Sequence, residues 1–481
     1  MAYMHRIDTE ELPTQVVIPV ESTAGLQVAV GLAPVNMVAD PKVNVPVLCN
    51  DYAEAVSLMG FCSDFKNYTL CQVIDANFNV FQNAPIILIN VLDPKKHKKT
   101  YTKDSIPVVS GVATIEEYGI LLDGLTVKAG GTAMTEDVDY ITGFTTTGAV
   151  EITLLDTEKT ADVTMIGVEG NILAPTMITK EDIIGGYNVS TGEETGLEVL
   201  RQVYPSTGYV PGIVLAPHWS KEVEVAATMA AKVKEINGIF EAMCAIDIDS
   251  EIYTTYTEAM AAKDDMGVVS RDAVLVWPKQ KLGSKVYDGS VIWAAVTATT
   301  DSNNSDIPKK SPSNELSNMT ATILEDGTEV LLDNTRAAAI NSKGIVTFIN
   351  DNGWRVWGNN TAAYPTTTDP KDRWISCRRM MNWYRSHFIL TYKQFVDDPT
   401  SYRLTEAVVD AENVYLNSLT SGGHIAGGEV QFREEDNPIA SILDGQVVFY
   451  TKIAFFTPAE HITNIIEFDP VLIQSALQGG E

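Results

Sequence analysis

Residues able to do chemistry are sparse in this chain and poorly placed for it. The six histidines (His5, His97, His218, His387, His424, His461) are scattered, and no two stand two to four residues apart as metal ligands would on one element. His218 is the best single candidate. It lies in LAPHWS, at the carboxyl end of the predicted strand GIVLAP, where α/β folds place ligands. Asp247 and Asp249 follow the next predicted strand, so a His/Asp pairing with a serine is conceivable. The competing reading is a turn histidine that caps or packs. The Asp247-Ile-Asp249 spacing lacks the D-x-D-x-D-G-x5-E pattern of a calcium loop. There is no G-x-S-x-G elbow, G-x-G-x-x-G, G-x-x-x-x-G-K-[ST] or H-E-x-x-H. We therefore expect no catalytic residue, no cofactor and no metal. Cys49, Cys62, Cys71, Cys244 and Cys377 lie far apart with no Cys-x-x-Cys, which fits buried, reduced thiols.

Basic side chains carry more information, because they are few. Lys+Arg number 34 against 63 Asp+Glu, a formal net charge of −29 in 481 residues. Nucleic acid is thereby disfavoured as a partner, since phosphate binding needs a basic footprint. Five of the cations, Arg373, Arg378, Arg379, Arg385 and Lys393, fall on one predicted helix, Asp372 to about Val396. Its apolar stripe is Trp374, Cys377, Met381, Tyr384, Phe388, Tyr392 and Phe395. The cations lie mostly off that stripe. They either balance local carboxylates or dock on an acidic partner surface, a task suited to the planar guanidinium. A second basic run, DPKKHKKTYTKD at 93–104, reads as a solvated break.

The elements that must position these residues fall into blocks. Residues 1–25 form an arm with a short β-prone run, Val16, Val17, Ile18 and Val20, bracketed by Pro13 and Pro19. Residues 26–93 and 180–370 read as one α/β core. The run APIILINVLD suits a strand covered on both faces, and alternation after 180 implies parallel strands with crossover helices. Between them, 100–179 changes to short strands with Gly and Asp turns, an inserted β-sandwich or barrel. Within the core, Ser220 is expected to cap the helix SKEVEVAATMAAKVKEI. Residues 371–481 follow as an α+β terminal domain, with helices at 372–396 and 401–418 and strands near 427–433, 446–456 and 461–468. The fold class is α/β, or α+β multidomain, with a discontinuous core. A lone N-terminal β-run and a terminal strand at Ile462, Ile465, Ile466 and Phe468 suit addition to another subunit's sheet edge. The N-terminus is acidic and lacks an apolar run, so it does not read as a secretory signal, and no segment reaches the ~18 apolar residues of a membrane span.

The order of these segments resembles a known family. GIVTFINDNGWRVWGNN, then the Arg-rich helix, then EEDNPIASILDGQVVFYTKIAFFTPAEHITNIIEF, is similar to the ending of contractile tail sheath proteins of phages, tailocins and related injection systems. The opening MHRIDTEELPTQVVIPVESTAGLQVAVGLAP and the PSN loop at 312–314 have the same look. Arg6, and Asn359-Asn360 after Gly358, depart from it without disturbing the order. The resemblance implies a non-enzymatic mechanical subunit, a homo-oligomer of stacked hexameric rings or a helical sheath. Its partners would be a tail tube protein, baseplate proteins and a tail terminator, with no nucleic acid and no direct membrane insertion. Its place would be the tail of a virion or tailocin, assembled in the bacterial host cytoplasm. It also implies exchange of the two terminal arms between neighbours, and a tube- or neighbour-facing role for the basic helix. The alternative is a hydrolase-like α/β enzyme with an accessory β-domain, built on His218 and Asp247.

Overall fold

A computed structural model describes residues 24–155, 160 and 162–477. The chain opens with β1 (Gln27–Gly31), β2 (Val47–Cys49), α1 (Tyr52–Met59), α2 (Leu70–Ile74) and β3 (Ile86–Asn90). The run of α2 continues through Asp75–Phe81 as a wider π-type helix. Asp51 caps α1 by accepting from the Glu54 N–H, and Gly60 ends it with φ 73°. A Cβ there would come within 2.3 Å of the Pro34 carbonyl oxygen, so only glycine fits this stop.

Seven strands follow: β4 (Lys98–Val109), β5 (Val112–Ile115), β6 (Ile120–Ala129), β7 (Thr132–Ala133), β8 (Tyr140–Phe144), β9 (Val150–Leu154) and β10 (Met165–Leu173). They form an antiparallel sheet ordered β7-β6-β10-β4-β5-β9-β8, with a bulge between Ile166 and Val168. Its core is its own, built from Ile106, Ile115, Ile120, Val127, Val150, Ile152 and Val168. The first strand pairs with the last, Lys98 opposite Leu173, so the chain leaves and re-enters side by side.

Beyond it come α3 (Lys180–Ile184), the small pair β11 (Gly186–Tyr187) and β12 (Glu194–Thr195), α4 (Val203–Thr207), β13 (Ile213–Leu215), α5 (Val223–Lys232), β14 (Met243–Asp247), α6 (Tyr256–Met266) and β15 (Ala273–Val276). A three-stranded patch of β16 (Lys279–Leu282), β17 (Lys285–Tyr287) and β18 (Ala321–Ile323) is interleaved with α7 (Gly289–Ser302). Then follow α8 (Asn334–Asn341), β19 (Ile345–Asn350) and β20 (Trp354–Trp357). The central sheet runs β2-β3-β1-β13-β14-β15-β19-β20. Its six inner strands are parallel, and β2 and β20 close the edges antiparallel. It draws on residues 27–90 and 213–357, with β4 to β10 between them in sequence. Strands β1, β3, β14 and β15 are buried at every residue, as parallel strands covered on both faces must be.

The last part comprises α9 (Pro370–Arg373), α10 (Ile375–Tyr392), α11 (Tyr402–Ser421), β21 (Gly427–Gln431), α12 (Ile439–Leu443), β22 (Tyr450–Ala454) and α13 (Pro470–Leu477). Three expectations are corrected. The helix expected from 372 to 396 is divided, because Trp374 takes extended backbone and bridges to Asn360. Ser220 does not cap α5, whose N-cap is Glu222, because its hydroxyl is bonded to Asp247. No strand forms over 461–468 within the chain, where Ile462, Ile465, Ile466 and Phe468 are 78–90% exposed. A strand needs a ladder partner, and this segment meets none among the described residues.

Candidate functional site

The polar residues at the carboxyl end of the central sheet are brought close, but into a structural network. Asp247, at the end of β14, accepts from the Ser220 hydroxyl at 2.8 Å, the Ser290 hydroxyl at 2.6 Å and the Ser290 N–H at 2.8 Å. Burial, and then the charge of Asp288, push its carboxyl up to about 6. His218 sits at φ 68° and gives its backbone N–H to Asp288, which also takes Gln72 and Lys279. Burial lowers the His218 imidazole. Asp247 thus serves two serines and the start of α7, with no bond from the His218 ring among the described residues, so this is no nucleophile–base–acid relay. A cavity of about 400 Å³ borders His218, Lys279 and Asp288. Among the described residues no three His, Cys, Asp or Glu side chains converge as metal ligands. All five cysteines are buried free thiols.

The incomplete part of the molecule is the terminal region. Helix α10 lies between the central body and α11, and is buried nearly all round. Met380, Trp383 and Tyr384 of α10 pack with Leu416 and Leu419 of α11 and Val430 of β21. Within the seam, the His387 ring stacks on Tyr415 at 3.9 Å, and the Tyr392 hydroxyl donates to Glu412 at 2.8 Å. The antiparallel pair β21–β22 covers this seam, with Glu429 opposite Lys452 and Val430 opposite Thr451. Ser401 caps α11, accepting from the Leu404 N–H. From the middle of α11, Asn413 accepts from the Val430 N–H and donates to its carbonyl, both at 2.9 Å. Past β22 the chain runs out along the body. Glu460 meets Arg373 at 3.2 Å, and the Arg373 guanidinium stacks 4.0 Å over Trp374. Beyond Glu460 the apolar side chains Ile462, Ile465, Ile466, Phe468, Val471, Leu472 and Leu477 are exposed.

Comparison with known proteins agrees with this geometry. No family model matches the chain. The tail sheath protein of Burkholderia phage BcepMu is 26% identical over 492 residues, covering 96% of each chain. The chain is similar to contractile tail sheath proteins over nearly its whole length. Solved sheaths share the fold of this chain. The contracted PVC sheath of an extracellular contractile injection system matches with a TM-score of 0.57 at 15% identity, over 98% of this chain and 99% of that one. The contracted helical sheath of the anti-feeding prophage gives 0.56 at 15% identity, over 97% and 98%. The hydrolase reading finds no support in these likenesses.

The basic helix is not the surface its sequence suggests. Arg378 and Arg379 are 2% and 3% exposed, not facing a tube or a neighbour. Arg378 lies 2.7 Å from Glu241, 3.2 Å from Asp272 and 3.4 Å from Asp372. Arg379 pairs with Asp301 and donates to the Ala24 carbonyl. They face inward because α10 has a second layer, α11, over its other side. Arg385 pairs with Glu241 yet is 44% exposed, and Lys393 is exposed above the Tyr204 ring. Arg373 is half-buried at the root of the arm. The run Val16, Val17, Ile18 and Val20 lies outside the described residues. Sequence reasoning passed over Asn413, Thr451 and Glu460. An asparagine in the middle of a long helix, where propensity disfavours it, was the one available signal for Asn413.

Proposed function

We infer that this chain is the structural subunit of a contractile tail sheath. Copies polymerise around a tail tube and shorten together to drive it through a target envelope. The full-length likeness to the BcepMu sheath protein carries this reading. Work done by repacking subunits needs no bound nucleotide, and we assign the chain no catalytic step. The particle is a phage or tailocin tail, and baseplate and terminator proteins cap the polymer at its ends.

Neighbours are joined by strand exchange, with the arm around Val16–Val20 and the segment Ile462–Phe468 adding to sheets of adjacent subunits. The support is the exposed apolar segment that follows a two-stranded sheet, since an isolated pair of strands is marginal in water. Each added strand contributes several kcal/mol, at about 0.5–1.5 kcal/mol per net hydrogen bond. Because those bonds are backbone bonds, they persist while subunits rotate as rigid bodies.

The domains we assign are the arm 1–25, the core 26–93 with 180–370, the β-domain 100–179 and the terminal domain 371–481. Lys98 beside Leu173 supports insertion of the β-domain through adjacent ends. Of the basic helix, only Arg385 and Lys393 are left to meet a tube or neighbour. Electron microscopy of the purified full chain tests the function: tubes or rings are expected. Monodisperse single subunits under all assembly conditions would overturn it. Replacing 100–179 by a short Gly/Ser linker is expected to leave a soluble core, and global misfolding would refute the domain assignment.

A further inference from the structure

The β4–β10 domain touches the central body at more than its two chain crossings. Hung only from Lys98 and Leu173, which lie side by side, it would be free to swing about one hinge. Two further contacts hold it. The first lies beside the crossings. Leu173, Tyr118 and Leu121 pack with the core of the central body. Asn36 of that body donates its side-chain amide to the Ile120 carbonyl at 3.0 Å. The approach is close: a Cβ on Gly119 would come within 2.3 Å of the buried Tyr68 hydroxyl.

The second contact comes from the turn between β8 and β9. That turn is braced from within. The Thr145 N–H donates to the Ala149 carbonyl at 2.8 Å, and the Thr145 hydroxyl accepts from the Ala149 N–H at 3.0 Å. Gly148, at φ 94°, is buried against the loop between α1 and α2. A Cβ there would come within 2.9 Å of the Cys62 Cβ and 3.2 Å of the Phe61 carbonyl oxygen. Neither neighbour has room to yield, because interiors are close-packed. Cys62 is fully buried, and the Phe61 ring meets Tyr52 at 5.5 Å and Phe65 at 6.3 Å, edge-on to both. The turn fits this seat because residue 148 has no side chain.

We propose that the seat of Gly148 on Phe61 and Cys62 locks the β-domain to the central body, so that the two turn as one rigid piece. The inference goes beyond the domain assignment, which the adjacent crossings satisfy with or without a seat. Its reason is geometric. The crossings and the Asn36 contact lie together at one end of the domain, whereas Gly148 belongs to a different hairpin, β8–β9, at the far edge of the sheet order. A hinge held at a second, separate place cannot swing. Within a polymer, the outer surface of the β-domain then follows every rotation of the body that carries it, with no motion of its own.

The test measures distances in the full chain as an unassembled subunit, so its outcome stands apart from that of the sheath reading. Spin labels are placed through Asp123→Cys in β6 and Glu251→Cys after β14, both exposed, while the five native thiols are buried. One narrow distance distribution is expected. Adding Gly148→Ala is expected to broaden it at least twofold. Gly111→Ala is the control: it brings the same kind of backbone strain, at φ 81°, with nothing within 4 Å of the new Cβ. Its distribution is expected to stay narrow. A broad distribution in the labelled chain without either glycine change, or equal widths for Gly148→Ala and Gly111→Ala, overturns the proposal. Should Gly148→Ala fail to fold, Thr145→Val gives a second measurement. It removes the hydroxyl that braces the turn and leaves Gly148 in place. A broader distribution is expected, and an unchanged one would overturn the proposal.

Discussion

The central sheet and the terminal sheet obey the same hydrogen-bond rules and reach opposite ends. The eight-stranded central sheet closes both its edges with antiparallel strands, β2 and β20, and buries its inner strands except for Asn350 at the end of β19. The β21–β22 pair closes one edge with Asn413 and leaves the other open beside an exposed apolar segment. A finished sheet gains nothing from a neighbour. An unfinished one stores its remaining bonds for assembly, so the body of the subunit can stay rigid while its connections are made between copies.

The largest expected effect breaks the terminal side of this contrast. Ile466→Asp with Phe468→Asp places two charges on the exposed apolar segment, where the folded subunit makes no use of those side chains. Tubes are expected to vanish in electron micrographs, while the melting temperature of the unassembled subunit moves by no more than about a degree. A large drop in melting temperature would mean that the segment belongs to the subunit's own fold.

Next in size is a cut on the closed side. Arg378→Ala leaves Glu241, Asp272 and Asp372 around an empty site. Breaking a buried pair by removing one partner costs about 3–5 kcal/mol. Chemical denaturation is expected to report that loss in the unassembled subunit. A change below about 1 kcal/mol, with assembly impaired instead, would return Arg378 to an intermolecular role.

A smaller effect probes the polar network of the central sheet. The folded Asp247 carboxyl is raised from 3.8 to about 6, so the native state holds its proton more tightly than the unfolded chain does. Its contribution is therefore complete below about pH 4 and is lost as pH rises through about 6, by at most about 3 kcal/mol. Asp247→Asn is expected to flatten the stability profile across that window. An unchanged slope would assign the pH dependence to other groups.

The smallest effect concerns Arg385, exposed above Glu241. Arg385→Glu is expected to change subunit stability by less than about 1 kcal/mol, since exposed pairs contribute little. Any loss of assembly should be larger at low salt than at high salt, because screening mutes exposed charges. Assembly that is indifferent to ionic strength would remove Arg385 from the contact surface.

Much of the central sheet was legible beforehand because its signal is local. IILIN reads as a doubly covered strand from its own five residues, and the change to strands cut by Gly and Asp turns after about residue 100 is visible in composition. Residues 98–104, expected as part of a solvated break, instead open the twelve-residue strand β4, because they pair with the remote β10. The arginine face was misread because its partners are remote. Glu241 lies 137 residues from Arg378 along the chain, and Asp301 lies 78 from Arg379. Periodicity marks which side of a helix is apolar, but it carries no information about a second layer that buries the polar side as well.

By itself, the sequence determined where apolar runs make the strands of the central sheet and where Gly and Asp turns separate those of the β-domain. These are properties of neighbouring residues, and they act through backbone geometry and side-chain burial within a few positions. Only the tertiary structure decided which cations are internal and which edge of the terminal sheet is free. Both depend on contacts between segments far apart in the chain: α10 against Asp272 and Asp301, and the Asn413 amide against Val430. A hydrogen-bonding group is open or closed according to what the fold brings within about 3 Å of it, and no local pattern encodes that distance.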